Sequence, residues 1–196
     1  MSMTFTPPPE TAAWRHLGAR TGFEVVYFRP TGRGGHRIEG CTTAVEDGMT
    51  WVVDYAIEVD RDWVTRRAEI RSRSVAGSRH TLLEGDGEGG WRIDGVPASR
   101  VDGCLDVDLE SSAVTNAFPV HRMRLAAGDA ADAPAAYVRA ADLTVERLDQ
   151  RYLRVAGDGP GQHYDYEAPV FGFACRLVYD GSGLVLDYPG LAVRAL

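Results

Sequence analysis

A chain of 196 residues is long enough for one well-cored domain, and its 44% hydrophobic and 25% charged residues exclude both disorder and a membrane-embedded fold. The 22 glycines and 10 prolines are scattered, which excludes a collagen repeat and favours a turn-rich architecture. A net charge of −7 repels a phosphate backbone, so no nucleic-acid partner is expected.

Residues 1–10 carry Pro7, Pro8 and Pro9 but neither a basic nor an apolar run, so they read as a flexible start without a signal peptide. A single domain is expected over 11–196. No stretch approaches the roughly 18 consecutive apolar residues of a spanning helix, and a cytoplasmic protein without a transmembrane segment follows. Residues 11–20 suit either a short helix or the lead into a first strand. Turn signals then punctuate the chain at 31–35, Asp47-Gly48, 85–90, Asp94-Gly95, 157–161 and 180–183, a spacing typical of hairpin-linked strands.

Between the turns the pattern has a period of two. Trp51, Val53, Tyr55, Ile57 and Val59 fall on one strand face, with Asp54, Glu58 and Asp60 opposite. Ala68, Ile70 and Ser72 share a face against Arg67, Glu69, Arg71 and Arg73, and Leu105, Val107 and Leu109 oppose Cys104, Asp106 and Asp108. Residues 115–119 read as a polar, proline-containing corner. Residues 125–136 are alanine-rich but broken by Gly128 and Pro134, which allows a turn or two of helix at most. Residues 143–152 read as strand, and 164–188 as a β-meander ending in a turn at 187–191. The fold class is therefore mainly β: a curled antiparallel sheet, as a spiral roll or open barrel, with little helix.

Candidate chemistry is sparse. Cys41, Cys104 and Cys175 lie far apart and read as reduced, apolar side chains, and the five histidines form no ligand pattern, so no metal is expected. No nucleophile elbow, phosphate loop or dinucleotide fingerprint occurs, so neither a cofactor nor catalysis is expected. Asp106 and Asp108 project from one strand face about 7 Å apart, a spacing that suits an acid and base around a glycosidic bond. The plainer reading is a solvated face, or carboxylates paired with arginines of a neighbouring strand. Arg67 and Arg71 offer guanidinium forks for an anionic or hydroxylated group. Trp51 and Tyr55 offer aromatic surface, and Asn116 and Arg122 are candidates to line a site beside the 115–119 corner.

Several ordered stretches carry a family resemblance: residues 63–68 (WVTRRA), 103–109 (GCLDVDL), Thr115-Asn116 with Pro119, 148–152 (LDQRY) and 187–191 (DYPGL). Their order and separation, across the chain from Trp14 to Leu191, resemble the bacterial glycolipid-binding family, formerly a domain of unknown function. The resemblance implies a spiral antiparallel β-roll similar to periplasmic lipoprotein carriers, with a lipid or glycolipid in a β-lined cavity, and supplies no catalytic residues. The expected function is thus binding of an amphipathic small molecule by Arg67, Arg71, Asp106, Asp108, Asn116, Arg122, Trp51 and Tyr55. The alternatives are a hydrolase of a sugar or lipid conjugate using Asp106 and Asp108, and a ligand-free scaffold or partner-binding protein.

Overall fold

The computed structural model describes residues 5–18, 20–32, 34–157 and 161–195. The chain first runs back and forth through β1 (Thr11–His16), β2 (Arg20–Pro30), β3 (His36–Glu46), β4 (Met49–Val59), β5 (Thr65–Ser74), β6 (Gly77–Gly85), β7 (Trp91–Ile93) and β8 (Val96–Pro97). Each strand is antiparallel to the one before it. The expected turns connect them. Asp47 and Gly48, at φ 49° and 74°, close the β3–β4 hairpin with the paired left-handed residues that match strand twist in a two-residue loop. Residues 11–16 settle as strand, and residues 5–10 lie along the fold, with Thr6 N donating to Gly181 O and Phe28 N to Glu10 O.

The middle of the chain mostly leaves this sheet. It forms β9 (Asp106–Leu109), a 3-10 turn (Val114–Asn116), α1 (Ala117–Met123), β10 (Ala130–Asp132), β11 (Ala135–Val138) and β12 (Val145–Leu148). β11 pairs parallel to β9 and antiparallel to β12, giving a small three-stranded sheet. A second meander follows in β13 (Arg151–Val155), β14 (Gln162–Ala168), β15 (Phe173–Tyr179), β16 (Val185–Tyr188) and β17 (Ala192–Ala195). β17 pairs antiparallel with β1, Ala13 opposite Ala195, so the two meanders fuse into one 14-stranded sheet. Its ends, β10 and β8, do not meet, and the sheet stays open rather than closing into a barrel. Of the expected turn at 157–161, residues 158–160 lie outside the described residues.

The period-two reading holds where one face of a strand is wet. Trp51, Val53, Tyr55, Ile57 and Val59 are all buried, as are Ala68, Ile70 and Ser72. It fails at β9, where all four residues are buried on both faces. β9 is interior: Thr65 N donates to Leu105 O, Val107 N donates to Thr65 Oγ1, and β11 covers its other edge.

The helix also falls elsewhere than the alanine content suggests. Residues 125–136 hold coil and the short β10, whereas the 115–119 corner is the 3-10 turn running into α1. Pro119 sits in the first turn of α1, where its missing N–H has no intrahelical partner to lose. Ala117, Phe118, Pro119, Val120 and His121 are all buried, so the helix has no polar face to give a 3.6-residue signal. The interior expected as a hollow is thus largely filled by the 99–150 segment, which packs between the meanders: Trp91 Nε1 donates to Cys104 O on one side, and Tyr179 Oη to Asn116 O on the other.

Trp63 locks this arrangement. It adopts φ 64°, a left-handed conformation costly for a bulky residue, and its ring stacks on His121 at 3.7 Å and 13°. The β4–β5 turn is thereby fixed to α1.

Candidate functional site

The cleft that remains is built around β9. Its strand geometry sends Asp106 and Asp108 to the same side, and different partners meet each. Asp106 faces α1, where Arg122 Nε and Nη2 donate to its two carboxyl oxygens at 3.1 and 2.6 Å. This is a bidentate pair with both acceptor oxygens engaged. Asp108 accepts from Thr115 Oγ1 at 2.7 Å and from Gln150 Nε2 at 2.9 Å. The Tyr152 hydroxyl donates to Gln150 Oε1 at 3.0 Å and lies 3.2 Å from the Asn116 side-chain amide.

Asp108 and Asn116 form the floor of a cavity of about 280 Å³. Its walls are aromatic and come mainly from the second meander: Tyr166 and Tyr188 at 6.0 Å between ring centres, Phe173 at 6.0 Å from Tyr188, and Tyr137 at 5.5 Å from Phe171. Phe171 and Leu191, both exposed, stand at the mouth, and the exposed Val170 is adjacent in sequence to Phe171. Arg20 forms one side, its Nη1 donating to Glu110 O at 2.7 Å and its Nη2 to Glu46 Oε1 at 3.2 Å. Its guanidinium lies 5.3 Å over the Trp51 ring, a cation–π contact that fixes its direction.

Ser112, on the cleft wall, is held from behind by Glu24 of β2. Glu24 has no exposed surface. It accepts from the Tyr55 hydroxyl at 2.5 Å, from the Ser112 hydroxyl, and from Ala113 N at 2.8 Å. Tyr55 reaches it because Gly40, opposite on β3, has no side chain: a Cβ there collides with the tyrosine ring. Burial raises the Glu24 pKa, against the hydrogen bonds that lower it.

The structure therefore brings together some of the sequence candidates and separates others. Asp108 and Asn116 line the cleft, and Asp106 with Arg122 forms the ion pair beside it. Trp51 and Tyr55 do not line it: Trp51 carries Arg20, and Tyr55 is enclosed with Glu24. Arg67 and Arg71 are on the opposite, outer face of the sheet, where Arg71 pairs with Glu69 at 2.7 Å and Arg67 with Glu69 and Glu84 at 3.5 Å. Strand alternation leaves them there, since Ala68 and Ile70 take the inward face. The acid-and-base use of Asp106 with Asp108 finds no support, because Arg122 occupies both oxygens of Asp106. Arg20, Glu24, Ser112, Tyr137 and Tyr166 are not among the sequence candidates. Gln150 and Tyr188 are within reach of sequence reasoning, since both lie in the stretches that carry the family resemblance.

Burial, partly offset by the Thr115 and Gln150 hydrogen bonds, raises the Asp108 pKa from 3.8 to about 6. A carboxyl that holds its proton more tightly in the folded state stabilises the fold at low pH, and this contribution is lost as pH rises from about 4 to about 6. Asp108→Asn removes that loss. Whatever its cost at low pH, the variant is expected to gain stability relative to wild type between about pH 4.5 and about pH 7.5, by on the order of 2 kcal/mol. Urea midpoints at the two pH values check it, and a pH-independent difference rejects a raised pKa.

The five stretches that carry the resemblance converge here. Trp63 stacks on His121, Thr65 bonds β9, Asp108 meets Thr115 and Gln150, and Tyr188 walls the cleft. The family described as "Putative glycolipid-binding" matches residues 11–194. The chain belongs to this glycolipid-binding family. It is similar to a DUF1089 family protein from Pseudomonas aeruginosa, with 33% identity and a TM-score of 0.76 over 93% of this chain and 95% of that one. A β-barrel-like protein of domain of unknown function DUF1849 from Brucella abortus shares the fold at a TM-score of 0.53 and 10% identity, over 97% of this chain and 96% of that one. Comparison with curated proteins gives no match. In this member of the glycolipid-binding family, no helix among the described residues is long and apolar enough to cross a membrane.

Proposed function

We propose that the protein is a non-catalytic carrier that holds the head group of a glycolipid in the Asp108 cleft and works in the cytoplasm. The observation that carries this reading is a cleft with aromatic walls over a floor of carboxyl and amide groups, Asp108 and Asn116. Aromatic faces cover the apolar faces of a sugar ring, while a carboxyl and an amide take its hydroxyls. Family membership supports the same ligand class.

Size decides which part of the ligand enters. At about 280 Å³ the cleft is just below the roughly 300–1,000 Å³ of pockets that enclose drug-sized ligands, so it suits one sugar-sized end and not a whole glycolipid. The acyl chains then lie outside, across Phe171, Leu191 and Val170, which are 47%, 37% and 72% exposed. Each 40 Å² of apolar surface covered there contributes on the order of 1 kcal/mol.

Native mass spectrometry of protein purified from its own host, followed by lipid extraction, tests the proposal. A co-purifying amphiphile is expected. Phe171→Ser, which also gives up the contact with Tyr137, is expected to weaken binding of that amphiphile about tenfold at a stability cost of about 1 kcal/mol. Protein free of any amphiphile, and inert toward a lipid panel, overturns the reading.

A further inference from the structure

Asp108 stands at the floor of the cleft with a charge that no cation answers. It is 9% exposed, and its two hydrogen bonds, from Thr115 Oγ1 and Gln150 Nε2, come from neutral donors. The arginines of this region are engaged elsewhere: Arg122 with both oxygens of Asp106, Arg20 with Glu46 at 3.2 Å, and Arg139 with Glu146 at 2.6 Å. Asp108 makes no ion pair among the described residues, and the strongest charges acting on it come from Asp106 and Glu110, both acidic. Although burial raises its pKa to about 6, the carboxyl is ionised at physiological pH. Buried carboxylates are as a rule paired, so one that lines a cleft without a counter-charge points to a cation supplied from outside.

The lining decides which kind of cation. A metal ion needs several ligands, and no group of three or more His, Cys, Asp or Glu side chains able to hold one occurs among the described residues. The other acid of the cleft, Glu110, has its carboxylate held at Ala140 N at 2.8 Å. An organic ammonium suits the site better. It donates several hydrogen bonds, and the Asp108 carboxylate, with one donor on each oxygen, keeps a lone pair free on both. Tyr137, Tyr166, Phe173 and Tyr188 stand around the same space, and aromatic faces attract an ammonium. Exchanging one sugar hydroxyl for an ammonium replaces a single heavy atom, so the cavity of about 280 Å³ admits an amino sugar as readily as a plain one.

We infer that the head group held in the cleft is an amino sugar, whose ammonium bonds to Asp108 while its ring lies between the aromatic walls. The inference rests on the cleft reading above and deepens it: it names the head group as cationic, and it makes Asp108 the residue that selects it. The position of the amine follows from the direction of entry. Acyl chains leave past Phe171 and Leu191 at the mouth, and Asp108 is at the floor, so the ammonium belongs on the side of the ring away from the glycosidic bond.

The test uses n-octyl 6-amino-6-deoxy-β-D-glucoside and n-octyl β-D-glucoside, which differ by one ammonium in place of one hydroxyl, each below its micelle concentration. Calorimetry on the full chain at neutral pH gives affinities, and a ¹³C NMR titration follows the Asp108 carboxyl. The amino glucoside is expected to bind about tenfold more tightly than the plain glucoside. It is also expected to move the pH at which Asp108 titrates from about 6 down to about 5, because a cation beside a carboxyl favours its ionised form. Asp108→Asn is expected to abolish the preference. Glu84→Gln, which removes the same charge from the outer face of the sheet, is expected to keep it. Equal affinities in the wild type, an Asp108 titration that the amino glucoside leaves unmoved, or a preference that survives in Asp108→Asn overturns the inference while leaving the cleft reading intact. Failure of both glycosides to bind the wild type counts against the cleft reading itself and removes the inference with it. The wild-type affinities and titration decide the matter even where Asp108→Asn does not fold.

Discussion

Replacing Glu24 by alanine is expected to lower the unfolding free energy by about 4 kcal/mol. Three donors converge on its carboxyl, from Tyr55, Ser112 and Ala113, in a place with no exposed surface. Each donor stranded without a partner costs roughly 1–3 kcal/mol, and water entering the vacated space returns part of the sum. That is a large fraction of the roughly 5–15 kcal/mol that holds a domain folded. Glu24→Gln separates hydrogen bonding from charge. Its one carbonyl oxygen can accept from Ala113 N while its amide donates to the hydroxyls, which can rotate to accept; the backbone N–H cannot. The glutamine variant is therefore expected to lose about 1–2 kcal/mol. Urea unfolding with unchanged m-values measures both, and an alanine variant within about 1 kcal/mol of wild type refutes the cage as a source of stability.

Arg122→Ala is expected to cost about 3–5 kcal/mol, because it leaves the Asp106 carboxylate, 2% exposed, without its counter-charge. The cost is expected to depend on pH in a known direction. Burial already raises the Asp106 pKa, with the Arg122 hydrogen bonds and charge opposing the rise. Without the arginine the rise is larger, so the folded state binds a proton more tightly than the unfolded chain and loses stability as pH increases. The deficit should thus be smaller near pH 5 than near pH 8. Replacing both residues, as Asp106→Leu with Arg122→Met, removes the orphaned charge and is expected to recover much of the loss. A deficit that is flat with pH, or a double variant no better than Arg122→Ala, refutes the account.

These two contacts mark the boundary of what the sequence discloses. Strands with one wet face announce themselves: the buried Trp51, Val53, Tyr55, Ile57 and Val59 alternate with the partly exposed Val52, Asp54, Ala56 and Glu58 because the sheet separates core from solvent. β9 and α1 give no such signal, since β9 is buried on both faces and in α1 only Arg122 and Met123, at its end, are partly exposed, too little solvent face to set a period. Pro119 reads as a corner because proline breaks a helix interior; here it sits in the first turn of one. The carboxylates of β9 are visible as candidates, but their partners are not, since Arg122 and Gln150 are 16 and 42 residues away from the acids they hold. Glu24 cannot be recognised as buried at all, because a lone glutamate in a strand gives no sign of the hydroxyls that a distant loop brings to it. The arginines of β5 are conspicuous in the sequence and end on the outer surface, where Glu69 and Glu84 hold them.

The open sheet has one further consequence. Fourteen hydrogen-bonded strands that never close leave two free margins, and such margins can template the addition of strands from other molecules. Here both outermost strands are short. One margin is the three-residue β10, and the other is the two-residue β8, which ends in Pro97, a residue with no amide hydrogen to offer an incoming strand. The longest open stretch of the margin is instead Gly77–Thr81 of β6, which pairs with β5 alone because β7 reaches only Leu83, Glu84 and Gly85.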